Sequence, residues 1–345
     1  MHSLDSILGQ DSAVNWLRSS LAAGRLPHGM IFAGPPGVGK ATTAEALAGV
    51  VLCPEASQQR ACGQCASCRA LAAGSHPDFH RVYRQLARFR KDEGGEEPPP
   101  SLRNLPAARD LSVKVIREYL LERAALTSVL GRGKVFLVEE AELMSISAQN
   151  ALLKTLEEPP LGTLIILNTS NPQLLLPTIR SRCQLVKFSP LSESLLRQEL
   201  TRRGFSPEEA AAAARITAGS LGLSLRWQED GVIAAAQELA RRIDRLPESA
   251  VDLATFLKES ADDYAEKQLA RDEHASKDQV TREGAVVLLN AAAEHLRRRL
   301  GETADPEKLQ QLCHRIEAAI TTERYIDSNV TLALALEQFA AAIAH

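Results

Sequence analysis

Residues 34–42 read Gly-Pro-Pro-Gly-Val-Gly-Lys-Ala-Thr and carry the spacing of a phosphate-binding loop, G-x-x-x-x-G-K, with one part changed. Glycines at Gly34, Gly37 and Gly39 let successive backbone N–H groups turn inward around phosphate oxygens, and Lys40 adds positive charge. The next position calls for Ser or Thr, whose hydroxyl holds the Mg²⁺ that bridges the β- and γ-phosphates during transfer. Here it is Ala41, and a methyl group cannot ligate a metal. Thr42 is no simple replacement, because one step along a helix turns the side chain by about 100°. The loop is expected to hold a nucleotide, or the shape of a nucleotide site, with hydrolysis impaired.

Four of the six cysteines, Cys53, Cys62, Cys65 and Cys68, follow within sixteen positions as C-x8-C-x2-C-x2-C. Four thiolates suit tetrahedral Zn²⁺, and Gly63 helps the chain turn tightly around it. No histidine lies nearby to open a ligand position, so the zinc is expected to be structural. Disulfides are the rival reading, but the N-terminal Met-His-Ser-Leu-Asp has no basic-then-apolar signal segment. Cys183 and Cys313 are isolated and read as ordinary small buried residues. A third signature is acidic: the apolar run at 135–138 ends at Glu139-Glu140-Ala141-Glu142. A P-loop ATPase places there an acid that positions Mg²⁺, in the slot of Glu139, and one that polarises the attacking water, in the slot of Glu140.

These groups need a scaffold that aims them. The run Met30-Ile-Phe-Ala33 before the glycines and a helix-forming stretch to about Leu52 supply the strand–loop–helix setting of the motif. Strands are expected at Gly29–Ala33, 76–82, 134–138, 163–168 and 183–188, with helices at 66–74, 112–126, 147–157 and 177–182. This alternation implies a parallel sheet covered on both faces. Residues 84–110 hold a charged, Pro/Gly-rich loop. Beyond Pro190 the pattern turns helical: three short helices at 191–203, 207–218 and 221–230, then longer amphipathic ones including 285–300, 306–322 and 329–344. The charge-rich stretch 262–277 reads as a solvated helix or linker.

The fold class is thus α/β plus all-α. A P-loop sheet domain occupies 1–189 with the zinc module 53–68 inserted, a three-helix lid 190–231, and a helical collar 232–345. With 345 residues, two or three domains are expected. With 40 Lys+Arg against 43 Asp+Glu, no basic field marks the whole chain as a nucleic-acid binder. No apolar run approaches the ~20 residues of a membrane span. No membrane partner is expected, and the location is expected to be cytoplasmic.

Residues 150–160, Asn-Ala-Leu-Leu-Lys-Thr-Leu-Glu-Glu-Pro-Pro, and 178–183, Thr-Ile-Arg-Ser-Arg-Cys, resemble bacterial clamp-loader subunits of the AAA+ family. With the cysteine module after the P-loop helix, the resemblance covers nearly all of residues 1–230. Two subunit types carry these features, the gamma/tau motors and the delta-prime type. The phrase His76-Pro77-Asp78, the chain length and the helix start at Glu-Arg-Tyr-Ile-Asp-Ser-Asn, 323–329, more closely resemble the delta-prime type.

The resemblance implies a subunit of the DNA polymerase III clamp loader, within the nucleotidyltransferase holoenzyme of DNA replication. Its partners would be gamma/tau and delta subunits in a ring and, through the complex, the sliding clamp and primed DNA. Zn²⁺ would be structural, and ATP the nucleotide of the family's loop. Thr169 resembles the sensor at the end of the fourth core strand. Arg182, in Ser181-Arg182-Cys183, looks like the trans-acting arginine that enters a neighbour's ATP site. Departures from the motors are Ala41, Glu139 in place of Asp, and Gly222 where the motors carry Arg. They favour a stator-like subunit without turnover of its own. The alternative is a gamma/tau-type motor that still hydrolyses ATP through Lys40 and Glu140. A zinc-stabilised scaffold that binds DNA directly is a third reading, weakened by its few basic clusters such as Arg297-Arg298-Arg299.

Overall fold

Short apolar runs separated by helices form a five-stranded, all-parallel sheet. In chain order the first part holds α1 (Asp11–Ala22), β1 (Gly29–Ala33), α2 (Lys40–Leu52), α3 (Ala66–Ala72) and β2 (Phe79–Val82). Then come α4 (Val113–Ile116), α5 (Glu122–Ala125), β3 (Lys134–Val138), α6 (Ile146–Glu157), β4 (Thr163–Thr169), α7 (Pro177–Arg180) and β5 (Gln184–Lys187). The computed structural model describes residues 3–57, 59–89, 110–247, 250–271, 276–328 and 330–344. It divides into two compact units, Met1–Leu191 and Ser192–His345.

The strand order is β2-β3-β4-β1-β5, with Ala33 opposite Thr169 and Val138 opposite Leu167. Every residue of β1 and of β3 is buried, as a parallel sheet covered on both faces requires. Alternation then sorts the side chains. Met30, Phe32, Val135 and Leu137 pack with Leu17 of α1 and Leu47 of α2. Ile31, Phe136 and Val138 face the other way, toward Val115, Ile116 and Leu120 and toward Leu152 of α6. From β1 the chain crosses β4 and β3 to reach β2, whereas from β4 it crosses β1 to reach β5. The connections part above the C-terminal ends of β1 and β4, where open α/β sheets bind ligands.

Local differences from the sequence expectations have local causes. The strand expected at 76–82 starts at Phe79, after a turn closed by the N–H of Phe79 donating to His76 O at 3.2 Å; the carboxylate of Asp78 in that turn accepts the N–H groups of Val129 (2.7 Å) and Leu130 (2.8 Å). The helix expected at 112–126 contains a π-helical stretch, Arg117–Leu121, between α4 and α5. Within the expected loop 84–110, Arg84–Phe89 forms a 3₁₀ turn with Leu86 buried; residues 90–109 lie outside the described residues.

The second unit is helical throughout its described residues: α8 (Glu193–Arg202), α9 (Pro207–Ile216), α10 (Leu221–Glu229), α11 (Val232–Asp244), α12 (Ala250–Arg271), α13 (Lys277–Glu302), α14 (Pro306–Asp327) and α15 (Leu332–Ala344). Its helix starts are written in the sequence. Ser192, Ser206 and Ser220 each cap with the hydroxyl, and Ser206 and Glu209 form a reciprocal capping box ahead of Pro207. Leu239, Leu257, Leu288, Leu289, Phe339 and Ile343 belong to its core. Gly284 lets α13 approach α12, since a Cβ there would fall 2.8 Å from the ring of Tyr264.

Two expectations are corrected here. Cys313, read as a small buried residue, is exposed. The stretch 262–277 takes the helical one of its two readings, with its first ten residues in α12 and Ala265 among them buried. Residues 323–327 close α14 and do not start a helix, and the last helix begins at Leu332. No helix among the described residues is long and apolar enough to cross a membrane.

Candidate nucleotide and metal sites

The loop after β1 is shaped by its glycines. A Cβ on Gly34 would lie 2.2 Å from the carbonyl oxygen of Phe188, so only glycine lets the chain leave β1 beside the end of β5. Gly37 and Gly39 take positive φ, 72° and 102°, a region glycine enters without penalty. Helix α2 starts immediately at Lys40, which leaves its first N–H groups for an anion. The Lys40 ammonium is turned back onto the loop and donates to the carbonyls of Gly34 (2.5 Å) and Pro35 (2.6 Å). Burial lowers its pKa to about 8, against the opposing pull of the Glu142 carboxylate. Thr43 is tied to Gly39 O at 2.8 Å, and Ala41 and Thr42 are half-buried beside it.

The two acids expected to serve a metal are held by arginines. Arg81 of β2 donates from Nε to Glu139 Oε1 at 2.7 Å and also pairs with Glu45 of α2. Glu140 adopts a left-handed backbone, φ 49°, and its carboxylate is gripped by Arg84 at 2.9 and 3.1 Å. The third acid of the run turns inward. Glu142 accepts the N–H of Ser170 at 3.0 Å and the Ser170 hydroxyl at 2.5 Å, just past the end of β4. Burial works against ionisation of Glu142, but Ser170 and the Thr169 hydroxyl hold its carboxyl below the usual carboxylate range. Thr169 is buried, and its carbonyl accepts Gly34 N–H at 3.2 Å. Gly34, Lys40, Glu142 and Thr169 therefore converge, while Glu139 and Glu140 are bound elsewhere.

Arg182 stands at the other end of the sheet. It precedes β5, next to the start of β1, where a Cβ on Gly29 would lie 3.5 Å from Arg182 O. The loop lies past the end of β1, a five-residue strand, or about 15 Å away at a rise of ~3.3 Å per residue. The guanidinium pairs with Glu157 and donates to Thr178 O at 3.0 Å. It is one-third exposed.

The four cysteines come together between α2 and α3. Their sulfurs all lie within 4.8 Å of one another, with Cys53–Cys65 at 3.8 Å and Cys62–Cys68 at 3.9 Å. A tetrahedral zinc with bonds of about 2.3 Å sets its sulfurs about 3.8 Å apart, so the donor set fits that ion. Backbone N–H groups of Cys62, Cys65 and Cys68 point at the sulfurs of Cys53, Cys62 and Cys65, at 3.4, 3.3 and 3.4 Å. The N–H from Cys68 lowers the Cys65 thiol to about 7, while burial pushes the Cys68 thiol up to about 12. A buried brace backs the cluster: Ser67 Oγ donates to Leu52 O at 3.0 Å and meets His76 Nε2 at 2.9 Å. Because His76 Nδ1 accepts Asp78 N–H at 3.0 Å, the ring proton sits on Nε2.

Residues 9–192 match the family described as DNA polymerase III, delta subunit. The chain belongs to this family. The DNA polymerase III subunit delta' of Escherichia coli is 34% identical over 218 residues, 61% of this chain and 59% of that protein. Its counterpart in Pseudomonas aeruginosa is 36% identical over 201 residues, 58% of this chain and 55% of that protein. The chain thus spans little more than half the length of these curated relatives. The DNA polymerase III subunit tau/gamma of Haemophilus influenzae is 30% identical over 243 residues, 69% of this chain and 32% of that protein. Among solved structures, a DNA polymerase III gamma subunit-related protein of Thermotoga maritima aligns with a TM-score of 0.41 at 20% identity, covering 77% of this chain and 92% of its own.

Sequence reasoning missed Arg81, Arg84 and Glu142. Glu142 had a signal, as the third acid after β3. The arginines had none, because they sit on an edge strand and turn whose partners lie 36 to 58 residues away.

Proposed function

We propose that this chain is a stator-like subunit of the DNA polymerase III clamp loader. It helps load the ring-shaped sliding clamp onto primed DNA and supplies Arg182 to the ATP site of a neighbouring subunit. The observation that carries this reading is the position of Arg182, at the sheet end opposite its own phosphate loop. From there a guanidinium can act only on a nucleotide held by another chain. In arginine-finger systems such a cation is worth roughly 10³–10⁵ in rate. Ala41, and the arginine partners of Glu139 and Glu140, support a loop that does not turn over ATP. Gamma/tau and delta subunits are the proposed ring partners, with residues 190–231 as a lid, 232–345 as the collar, and Zn²⁺ held by Cys53, Cys62, Cys65 and Cys68. Thr169 and the loop 34–42 keep the form of a nucleotide site.

The gamma/tau-type motor remains the second reading, because relatives of that name match this chain at 30–34% identity. Direct DNA binding is disfavoured: Arg297, Arg298 and Arg299 are paired with Glu294, Glu302 and Asp244. The test is Arg182→Ala in a complex reconstituted with gamma/tau and delta. Assembly should be normal and DNA-stimulated ATPase should fall at least tenfold. Unchanged ATPase would remove the trans role. ATP turnover by the lone chain that vanishes in Lys40→Ala would establish the motor.

A further inference from the structure

Arg182 does not hang free from the sheet end. It follows the turn that closes α7, where its own N–H donates to Ile179 O at 3.1 Å, and it precedes the buried Cys183. The guanidinium donates from Nη1 to Thr178 O at 3.0 Å and from Nη2 to the carboxylate of Glu157, with which it forms an ion pair. Glu157 is the last residue of α6, so the cation also stands at the negative end of that helix.

The two backbones that carry this pair are fixed against each other. Leu156, next to Glu157, is buried, and its carbonyl accepts from His28 Nε2 at 2.8 Å. A Cβ on Gly29 would lie 3.1 Å from the Leu156 side chain and 3.1 Å from Cys183 Sγ. The end of α6 and the residue after Arg182 therefore meet across the first residue of β1. The pair itself adds little stability, because its side chains are one-third and one-half exposed and exposed ion pairs are weak. Its effect is on geometry. A long arginine side chain loses rotamer freedom when it is fixed, and a group fixed in advance does not lose that freedom at the moment of reaction. A guanidinium has five N–H groups, and the Nε–H of Arg182 has no partner among the described residues. That edge is left for a phosphate oxygen.

We propose that Glu157 is the positioning residue of Arg182, holding the guanidinium at the sheet end so that it meets a neighbour's triphosphate already ordered. The inference rests on the trans role of Arg182 and adds the side chain that aims it. Thr178 O is the other point of the bracket, and as a backbone atom it is kept whatever residue stands there. Glu157 is the point a substitution can remove.

The experiment measures DNA-stimulated ATPase of the complex reconstituted with gamma/tau and delta. In Glu157→Ala, kcat should fall about tenfold, a part of the rotamer freedom the pair fixes in advance, while KM for ATP stays unchanged. Glu157→Gln keeps an oxygen acceptor in the same place and should remain within about threefold of wild type. In the Arg182→Ala background, Glu157→Ala should bring no further loss, since the two act as one unit. A wild-type or raised kcat in Glu157→Ala, beside a reduced one in Arg182→Ala, would overturn the proposal, as would a further loss in the double variant. An unchanged kcat in Arg182→Ala would remove the trans role, and the positioning role with it. Modification of Arg182 by phenylglyoxal, read by mass spectrometry on the full chain alone, tests the bracket with no neighbour present. It should run several times faster in Glu157→Ala, and an unmoved rate would overturn the contact.

Discussion

At the scale of single residues, this site is decided by what each atom is left to face. Gly34 is the clearest case, since any Cβ there would collide with the backbone of Phe188. Gly34→Ala must therefore displace either the phosphate loop or the end of β5. The expected cost is about 1–3 kcal/mol, the range of overpacking in a closed core, read by denaturant unfolding. A stability equal to wild type would show that the loop moves freely. Arg81 makes the opposite point, because its value lies in two partners. It joins Glu45 of α2 and Glu139, the residue just past β3, and so ties the helix after the phosphate loop to the sheet. Glu139 is thereby employed in structure, and its extra methylene relative to Asp is what lets it reach β2.

At the scale of elements, the cysteine module is a cap built onto the end of α2. Cys53 and Cys68 are buried and the remaining two are half-buried, and the Ser67–His76 brace joins α3 to the end of α2. Purified chain is expected to carry zinc equimolar with protein. Chelation, or Cys62→Ser with Cys65→Ser, should make 53–68 sensitive to protease while the β-sheet signal in circular dichroism persists. Metal analysis finding no zinc would remove the assignment.

Strand β2 carries a pH-dependent element of its own. His80 stacks on Phe136 at 4.8 Å. Burial, with the Arg123 cation beside it, lowers its imidazole from the usual 6.5 to about 4. Between those values the unfolded chain binds the proton and the folded chain does not, so stability falls as pH drops from about 6.5 to 4 and levels below that. The loss attributable to His80 should be on the order of 3 kcal/mol. His80→Gln should flatten that part of the pH profile in urea unfolding. A profile that keeps its slope would place the proton elsewhere.

At the scale of the whole molecule, three clusters of buried side chains serve two compact units, two in the first and one in the second. The first unit takes its stability from a sheet buried on both faces, and the second from helices around Phe339, Leu288 and Leu257. Phe339→Ala opens a cavity at a fully buried position and should cost about 3–5 kcal/mol. Hydrogen exchange should speed up in α12, α13 and α15, with the sheet amides as internal reference. Unchanged protection of α13 would contradict the packing described.

Much of this molecule was written locally. The runs at 29–33 and 134–138 are short, apolar and bounded by glycine or charge, so each could only be a buried strand. The glycines and Lys40 carry the loop, and the cysteine spacing carries the metal geometry, because both motifs act through neighbours within a few residues. Serines ahead of helices fix their starts for the same reason. The π-helical turn at Arg117–Leu121, the burial of Ala261 and Ala265, and the arginine grips on Glu139 and Glu140 depend on partners far along the chain. Glu142 shows the difference most plainly. Its position in an acidic run was visible, but whether that charge would meet solvent, a metal or Ser170 depended on the parallel register that sets the ends of β3 and β4 side by side.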